Sequence, residues 1–459
     1  MTDRPVIVLD DDPTGTQTIR DVPVLTRTDP DHLRWAFEQG GEGFFILTNT
    51  RSLGPAEAAE RVARIAADVR RAAAEFGVDP VFMARGDSTL RGHFPLETDV
   101  LSEGEAIDAV LLVPAYIDAG RITIDGVHYV VGADGQRTPV GETEFARDAT
   151  FGFTESALPR WVEEQTGGRV AASDVALIRI DDIRTGGPDR VRAILGEAHD
   201  GRVIAVDAER DDDLRVVAAA VRRAEAEGQR FVYRSGPSFV RARLGQHASH
   251  PISDLELAPA EGAAPGGLVV VGSHVAMTTR QLERLLASRN PRVVELDATR
   301  PTDPDHLRAL ADEIVAALED GTVVFRTSRT LRRGEDADAS LAIARDVSAA
   351  VVAVVREVLE RRRPAFLVAK GGITSSDVAT EALGISRAVV AGTMLPGIVS
   401  VWRPVDGLAP GLPYVVFAGN VGGDDGLLTV VDRLTRATAS LAPRPTAERG
   451  DARPTTQES

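Results

Sequence analysis

The sequence predicts an α/β protein of two domains, each with a mostly parallel sheet flanked by helices. Three observations carry this. Short, continuous apolar runs recur, and each ends in acids, hydroxyls or glycines, as buried parallel strands with functional loops at their C-terminal ends do. Stretches rich in Ala, Arg and Glu alternate with these runs, the rhythm of a doubly wound fold. The composition changes once, to His, Ser, Pro, Ala and Gly, over 247–267. The expected organisation is therefore an N-terminal domain (1–246), a linker (247–267) and a C-terminal domain (268–442). Residues 443–459 lack any apolar period and are expected to form a disordered tail.

The first strand is Val6-Ile7-Val8-Leu9, running into Asp10-Asp11-Asp12-Pro13-Thr14-Gly15. Phe44-Phe45-Ile46-Leu47 repeats the pattern before Thr48-Asn49-Thr50-Arg51-Ser52, and a helix is predicted from about Pro55 to Phe76, with proline at its start. Further strands are expected at 81–83, 109–113, 176–178, 203–206 and 231–233. Between Arg121 and Phe153 the chain turns Gly/Thr-rich, with a β-like piece at 127–131, and reads as a hairpin excursion. In the second domain strands are predicted at 268–271, 323–325, 365–368 and 414–417.

Composition narrows the function. The net charge of −17 comes without a basic stripe, which makes nucleic acid a poor partner. Cysteine is absent, which excludes disulfides, thiol catalysis and cysteine metal sites. No apolar run is long enough to span a bilayer, and Met1 to Pro5 shows no signal-peptide pattern, so the cytoplasm is the expected location. An anion would have to be bound in a locally positive pocket.

Candidate chemistry sits in the strand-end loops. Three consecutive carboxylates, Asp10 to Asp12, repel one another unless a cation or a shared proton is present. Arg85-Gly86-Asp87-Ser88-Thr89-Leu90-Arg91-Gly92-His93 suits a small polyhydroxy carboxylate, because Arg forks a carboxylate and Asp accepts from hydroxyls. Arg51 and Gly120-Arg121 add two more guanidinium groups. The C-terminal domain offers three glycine loops: Gly272-Ser273-His274, Lys370-Gly371-Gly372-Ile373-Thr374 and Gly419-Asn420-Val421-Gly422-Gly423-Asp424-Asp425. Such loops are where open α/β sheets bind nucleotides, although no Walker A pattern occurs. Lys370 is the one lysine among 52 basic residues, and its place beside two glycines suggests a phosphate contact that Arg cannot supply. Asp424 and Asp425 could hold Mg²⁺ through water, since this ion takes one or two carboxylates plus phosphate oxygens.

These motifs resemble the four-carbon acid sugar kinase family, ATP-dependent kinases of threonate, erythronate and related tetronates. The resemblance spans about Val6 to Leu428. It is carried by Asp11-Asp12-Pro13-Thr14-Gly15, by the specific run Asp87-Ser88-Thr89-Leu90-Arg91-Gly92, and by Gly120-Arg121. Glu142-Thr143 to Asp148, Gly272-Ser273, Gly371-Gly372-Ile373-Thr374 and Gly419 to Asp425 extend it. It implies an N-terminal acid-sugar domain, a C-terminal ATP domain, Mg²⁺ and a homodimer. Thr16-Gln17-Thr18 departs from the family's Ala-x-Asp continuation, and Arg85 replaces a common Lys, so the chain reads as a divergent subgroup.

On this reading Asp11, Asp12 and Asp87 are the catalytic candidates, and Arg51, Arg85, Arg91 and Arg121 hold the acid sugar. Ser273, Lys370, Gly371, Gly372, Ile373, Thr374, Gly419 and Gly422 bind ATP, and Asp425 helps place Mg²⁺. Two other readings compete. A haloacid-dehalogenase-type phosphatase would use Asp10-x-Asp12-x-Thr14 and Ile46-Leu47-Thr48-Asn49, but leaves Asp87 to Gly92 unexplained. A sensor would bind acid sugar and nucleotide without turnover.

Overall fold

The computed structural model describes residues 4–132, 134–248, 250–328 and 337–440; the expected tail at 443–459 lies outside the described residues. In the N-terminal half the strands are β1 (Val6–Asp10), β2 (Val22–Leu25), β3 (Gly43–Leu47), β4 (Val81–Arg85), β5 (Ala109–Val113), β6 (Arg121–Ile124), β7 (Val127–Val131), β8 (Arg137–Pro139), β9 (Ala176–Ile178), β10 (Arg202–Val206) and β11 (Phe231–Ser235). The C-terminal half adds β12 (Leu268–Val271), β13 (Arg292–Leu296), β14 (Val323–Thr327), β15 (Leu367–Lys370), β16 (Arg387–Leu395), β17 (Ile398–Pro404) and β18 (Tyr414–Phe417).

The two halves do not keep separate sheets. Fifteen strands form one sheet in the order β13-β14-β12-β15-β18-β17-β16-β2-β3-β1-β4-β11-β5-β10-β9, while β6, β7 and β8 make a small antiparallel sheet. In this sheet the strands of the N-terminal half are parallel, as are β12 to β15 with β18, and the join is antiparallel: β18 pairs with β17, β17 with β16, and β16 with β2. Strand direction therefore reverses between the halves. Sheets twist by roughly 20–25° per strand, so the six steps from β15 to β1 accumulate roughly 130° and turn the C-terminal ends of both sets toward one cleft. A bulge between Val390 and Gly392 in the long hairpin adds local bending.

Parallel strands β1, β3, β4 and β5 are buried along their whole length, which is why they read as continuous apolar runs. The helix predicted at Pro55–Phe76 is present over those residues; it has proline in its first turn, buries Val62, Ile65 and Val69, and stops at Gly77 with φ +65°. Hairpin β16–β17 escaped the sequence reading because it alternates buried and half-buried residues within a chain otherwise patterned for parallel strands. The segment expected as a linker is packed: Ile252 is buried and its amide donates to Thr393 O at 2.8 Å. Among the described residues, no helix is long and apolar enough to cross a membrane.

Candidate active site

The loop after β1 answers the problem its three acids pose. Arg85, at the end of neighbouring β4, places Nη1 3.0 Å from Asp10 Oδ1 and 3.0 Å from Asp11 Oδ1. Arg51, following β3, donates from Nη2 to Asp11 Oδ1 at 3.0 Å and pairs with Asp12. Two guanidinium groups are thus interleaved among three carboxylates. Burial, reinforced by Asp11, drives Asp10 well above the usual carboxylate range against the pull of Arg85. For Asp12 burial works against ionisation, but Arg51, Arg85 and bonds from Thr14 outweigh it and hold the carboxyl below its usual value. The cations anticipated for an acid cluster are in place, and Asp10 and Asp12 are shifted in opposite directions. Gly15 is required here, since a β-carbon on it would stand 2.1 Å from Asp10 Oδ1.

The same loop reaches into the other half of the protein. Trp402 Nε1 donates to Thr16 Oγ1 at 2.9 Å, and Thr16 Oγ1 lies 3.0 Å from Ser400 Oγ, both partners on β17. Tyr116 OH bonds Gln17 and donates to Gly397 O at 2.7 Å. Thr16, which departs from the family pattern, is thus a buried contact between the halves, and Gln17, which also departs, is buried against the Tyr116 hydroxyl that makes another.

The loop after β4 is built on ion pairs. Arg91 Nε donates to Asp87 Oδ2 at 2.8 Å, Thr89 bonds the same carboxylate, and Arg51 Nη1 lies 3.8 Å from its other oxygen. Burial opposes the charge on Asp87, but Arg91 and Arg51 prevail and hold it far below the usual range. Arg91 also faces Asp148 at 3.4 Å, and Arg91 and Arg121 both lie over the Phe145 ring, at 5.3 and 6.0 Å from its centroid. Among the described residues Arg121 has no carboxylate within ion-pair distance; its side chain bonds Ala119 O.

In the C-terminal half, loops after β12, β15 and β18 converge. A β-carbon on Gly272 would be 2.3 Å from Thr374 Oγ1, one on Gly371 3.1 Å from Ser273 Cβ, and one on Gly419 2.9 Å from Ser273 Oγ. Gly371 has φ +126°, a region that favours glycine. A cleft of about 780 Å³ separates the halves, walled by Asp12, Arg51 and Arg91 on one side and by Ser273, Gly372 and Gly419 on the other. Ile373, 68% exposed, stands in it.

Several expected site residues lie elsewhere. Asp11 and Arg85 are buried beneath the cleft and face each other. Lys370 has no exposed surface: Nζ donates to Ala418 O at 2.6 Å and lies 3.8 Å from the Phe417 ring centroid, so its ammonium is buried beside the Gly419 turn and does not itself line the cleft. Burial pushes it down to about 7. Gly422 (φ +80°) shapes the loop that Gln281 holds through Val421 O and Gly423 O, and does not line the cleft. Asp425 is exposed at the start of helix Gly426–Ala439, paired with Arg284 at 3.1 Å, while Asp424 pairs with Arg280. Among the described residues no group of three or more His, Asp or Glu side chains is arranged to hold a metal ion. His128, buried against Thr123 and Ser88 O, is pushed by its burial to about 4 and is structural.

Sequence reasoning missed Arg234 and Glu97. Arg234 Nη2 donates to Arg91 O at 2.8 Å, and Thr50 Oγ1 donates to Glu97 Oε1 at 2.6 Å; both residues are buried behind the cleft. The signal for Arg234 was present: an apolar strand ending in Arg234-Ser235-Gly236 has the same form as Arg85-Gly86.

Comparison with known proteins matches residues 6–243 to a sugar-binding N-terminal domain and residues 268–427 to a nucleotide-binding C-terminal domain. A D-erythronate kinase of Heliobacterium modesticaldum is 26% identical over 407 residues, covering 85% of this chain and 86% of that protein. A D-threonate kinase of Salmonella typhimurium is 26% identical over 360 residues, covering 76% of this chain and 79% of that one. A solved Salmonella typhimurium protein shares the fold with a TM-score of 0.68 at 19% identity, over 95% of this chain and 99% of the other. A Haemophilus influenzae protein does so at 0.62 and 20%, with the same coverage.

Proposed function

The chain belongs to the four-carbon acid sugar kinase family, and from this premise we propose that it transfers the γ-phosphoryl group of ATP to a hydroxyl of a small tetronate-like acid sugar. The observation that carries the reading is the cleft itself. One wall presents a carboxylate and arginines, and the other presents three glycine loops around Ser273. Phosphoryl transfer asks for positioning and charge stabilisation more than covalent chemistry, and this wall arrangement suits it.

Of the acid candidates, Asp12 is the carboxylate on the cleft wall facing Gly372. Held ionised, it accepts a hydrogen bond from the attacking hydroxyl and aligns it, taking the proton as the new bond forms. Asp11 and Asp87 hold Arg51 and Arg91 in place. The sugar carboxylate goes to Arg121, which has no carboxylate partner among the described residues, beside Arg91 on the cleft wall. Phosphates are received by the amides of Gly372 to Thr374 with Ser273 and the Gly419 turn, while the Gly371 amide donates to Phe417 O and anchors the loop to the sheet; Lys370 bonds Ala418 O beside that turn. Mg²⁺ fits as an ion carried mainly by phosphate oxygens with one cleft carboxylate, for which Asp12 is better placed than the surface-paired Asp425.

The test is ADP release measured with D-erythronate, D-threonate and related tetronates, for the parent protein and for Asp12→Asn. Tetronate-dependent release that falls at least about a hundredfold in the variant is expected. No release with any tetronate at millimolar ATP overturns the kinase reading, and undiminished release in Asp12→Asn removes Asp12 from it.

A further inference from the structure

We infer that Arg234, on β11, is the positioning residue on which the Arg85–Gly92 loop is moulded, so that it sets the place of Arg91 and Asp87 at the cleft. The inference rests on the kinase reading for its catalytic consequence, though not for its geometry.

The loop is held at both ends by glycines, and both abut the same guanidinium. A β-carbon on Gly86 would fall 1.0 Å from Arg234 Nη1, and one on Gly92 would fall 3.1 Å from Arg234 Nη2. Neither glycine faces open space. Gly86 follows β4 directly, and its amide donates to Ser235 O at 3.0 Å, which fixes the loop's first residue beside the neighbouring strand's end. Arg234 pairs in register with Ala84. From that point its side chain passes under Gly86, and Nη2 donates to Arg91 O at 2.8 Å. A single residue thereby fills the hollow at the loop's start and ties down its end. Between the two glycines Leu90 sits at φ +71°, strained for a residue with a side chain, while Gly92 at φ +120° takes a region open to glycine. Such strain persists only where its surroundings over-determine it, and Arg234 borders both glycines that flank Leu90.

The position of this charge also needs explaining. Arg234 is 3% exposed, and among the described residues it forms no ion pair within the usual distance and its Nη1 has no hydrogen-bond partner. A buried guanidinium is costly unless it satisfies something. Glu97 feels this charge: burial pushes its carboxyl up to about 7, with Arg234 pulling the other way. The same carboxyl receives the Thr50 hydroxyl next to Arg51. Arg234 and Glu97 thus support the Arg91 loop and the Arg51 loop from one buried layer, and Lys at 234 would lack the planar fork that spans both glycines.

The test is a double-mutant cycle read by urea unfolding, with kinetics beside it. Gly86→Ala is expected to destabilise the parent protein and to be nearly neutral in Arg234→Ala, where the hollow is empty; additive effects would overturn the inference. In turnover, Arg234→Ala should lower kcat about a hundredfold with KM for ATP unchanged. Added guanidinium should restore at least about tenfold, and Arg234→Lys should restore little. A kcat within twofold of the parent, or a loss that guanidinium does not relieve, would mean that Arg234 does not position the site. If the parent protein turns over no tetronate, the kinase reading fails. The unfolding cycle, with amide exchange over 85–92 rising in Arg234→Ala, then decides the positioning role by itself.

Discussion

A β-carbon placed on Gly372 would stand 3.4 Å from Asp12 Oδ2. A carboxylate in the loop after the first strand of one half and the glycine that opens a helix of the other are therefore opposite walls of one contact. That distance is ordinary van der Waals contact, so Gly372→Ala should fold normally and keep turnover within a few-fold. Gly372→Val adds two methyl groups into the space between Asp12 and the incoming phosphate, and should lower kcat/KM by at least about tenfold, since misplacement by an ångström costs about that or more. Steady-state kinetics on the two variants check this, and equal activity would place the reaction elsewhere in the cleft.

Lys370 gives a pH prediction that contradicts the picture of an open phosphate ligand. Its burial lowers its value in the folded protein to about 7, from 10.5. Between these values the unfolded chain binds more protons than the folded one, so stability rises with pH from about 7 to about 10.5, by an amount on the order of 5 kcal/mol. Lys370→Met, which fills the same hollow without a charge, should abolish this rise. Urea unfolding at pH 7 and pH 9.5 measures it. A parent protein as stable at pH 7 as at 9.5, relative to the variant, would put the ammonium in water.

Lys370 also shows where the sequence could and could not be read. Its isolation and its glycine neighbours identified the loop, because those depend on residue type at fixed spacing. Its direction did not follow, because a strand residue at the last buried position points into the sheet or out of it according to register, which neighbouring β12 and β18 decide. The strand-end loops carrying Asp12, Arg51 and Arg91 were legible for the same reason: parallel strands put their C-terminal ends on one edge. What the sequence hid was long-range. Trp402 on Thr16, the β2–β16 join and Arg234 beneath Gly86 each connect segments well over a hundred residues apart, and no local pattern encodes such a contact.

Glu97 titrates in the opposite sense to Lys370. Burial raises its carboxyl to about 7 from 4.5, with Arg234 resisting. Between pH 4.5 and 7 the folded state binds more protons than the unfolded one, so stability is lost as pH rises through this window, on the order of 3 kcal/mol. Glu97→Gln keeps an oxygen to accept from Thr50 and carries no proton to lose. Its stability relative to the parent should therefore improve between pH 5 and pH 8. Thermal unfolding of both proteins at the two values checks the sign, and a parallel pH dependence would mean that Glu97 ionises freely.

Arg121 separates binding of the acid group from the chemistry. It shares the Phe145 ring with Arg91 and has no carboxylate partner among the described residues, whereas Arg51 and Arg91 are each held by aspartates. An arginine whose charge is not already balanced is the one an incoming carboxylate gains most from meeting. Burial lowers the guanidinium's affinity for its proton, but not enough to discharge a group that titrates so high. Arg121→Met should therefore raise KM for the acid sugar at least about tenfold, a loss of roughly 1.4 kcal/mol or more, while leaving KM for ATP and kcat near the parent values. A neutral polyol of the same length should be used equally poorly by both proteins. If Arg121→Met instead lowers kcat at unchanged KM, the arginine serves the transition state and the substrate carboxylate is held elsewhere.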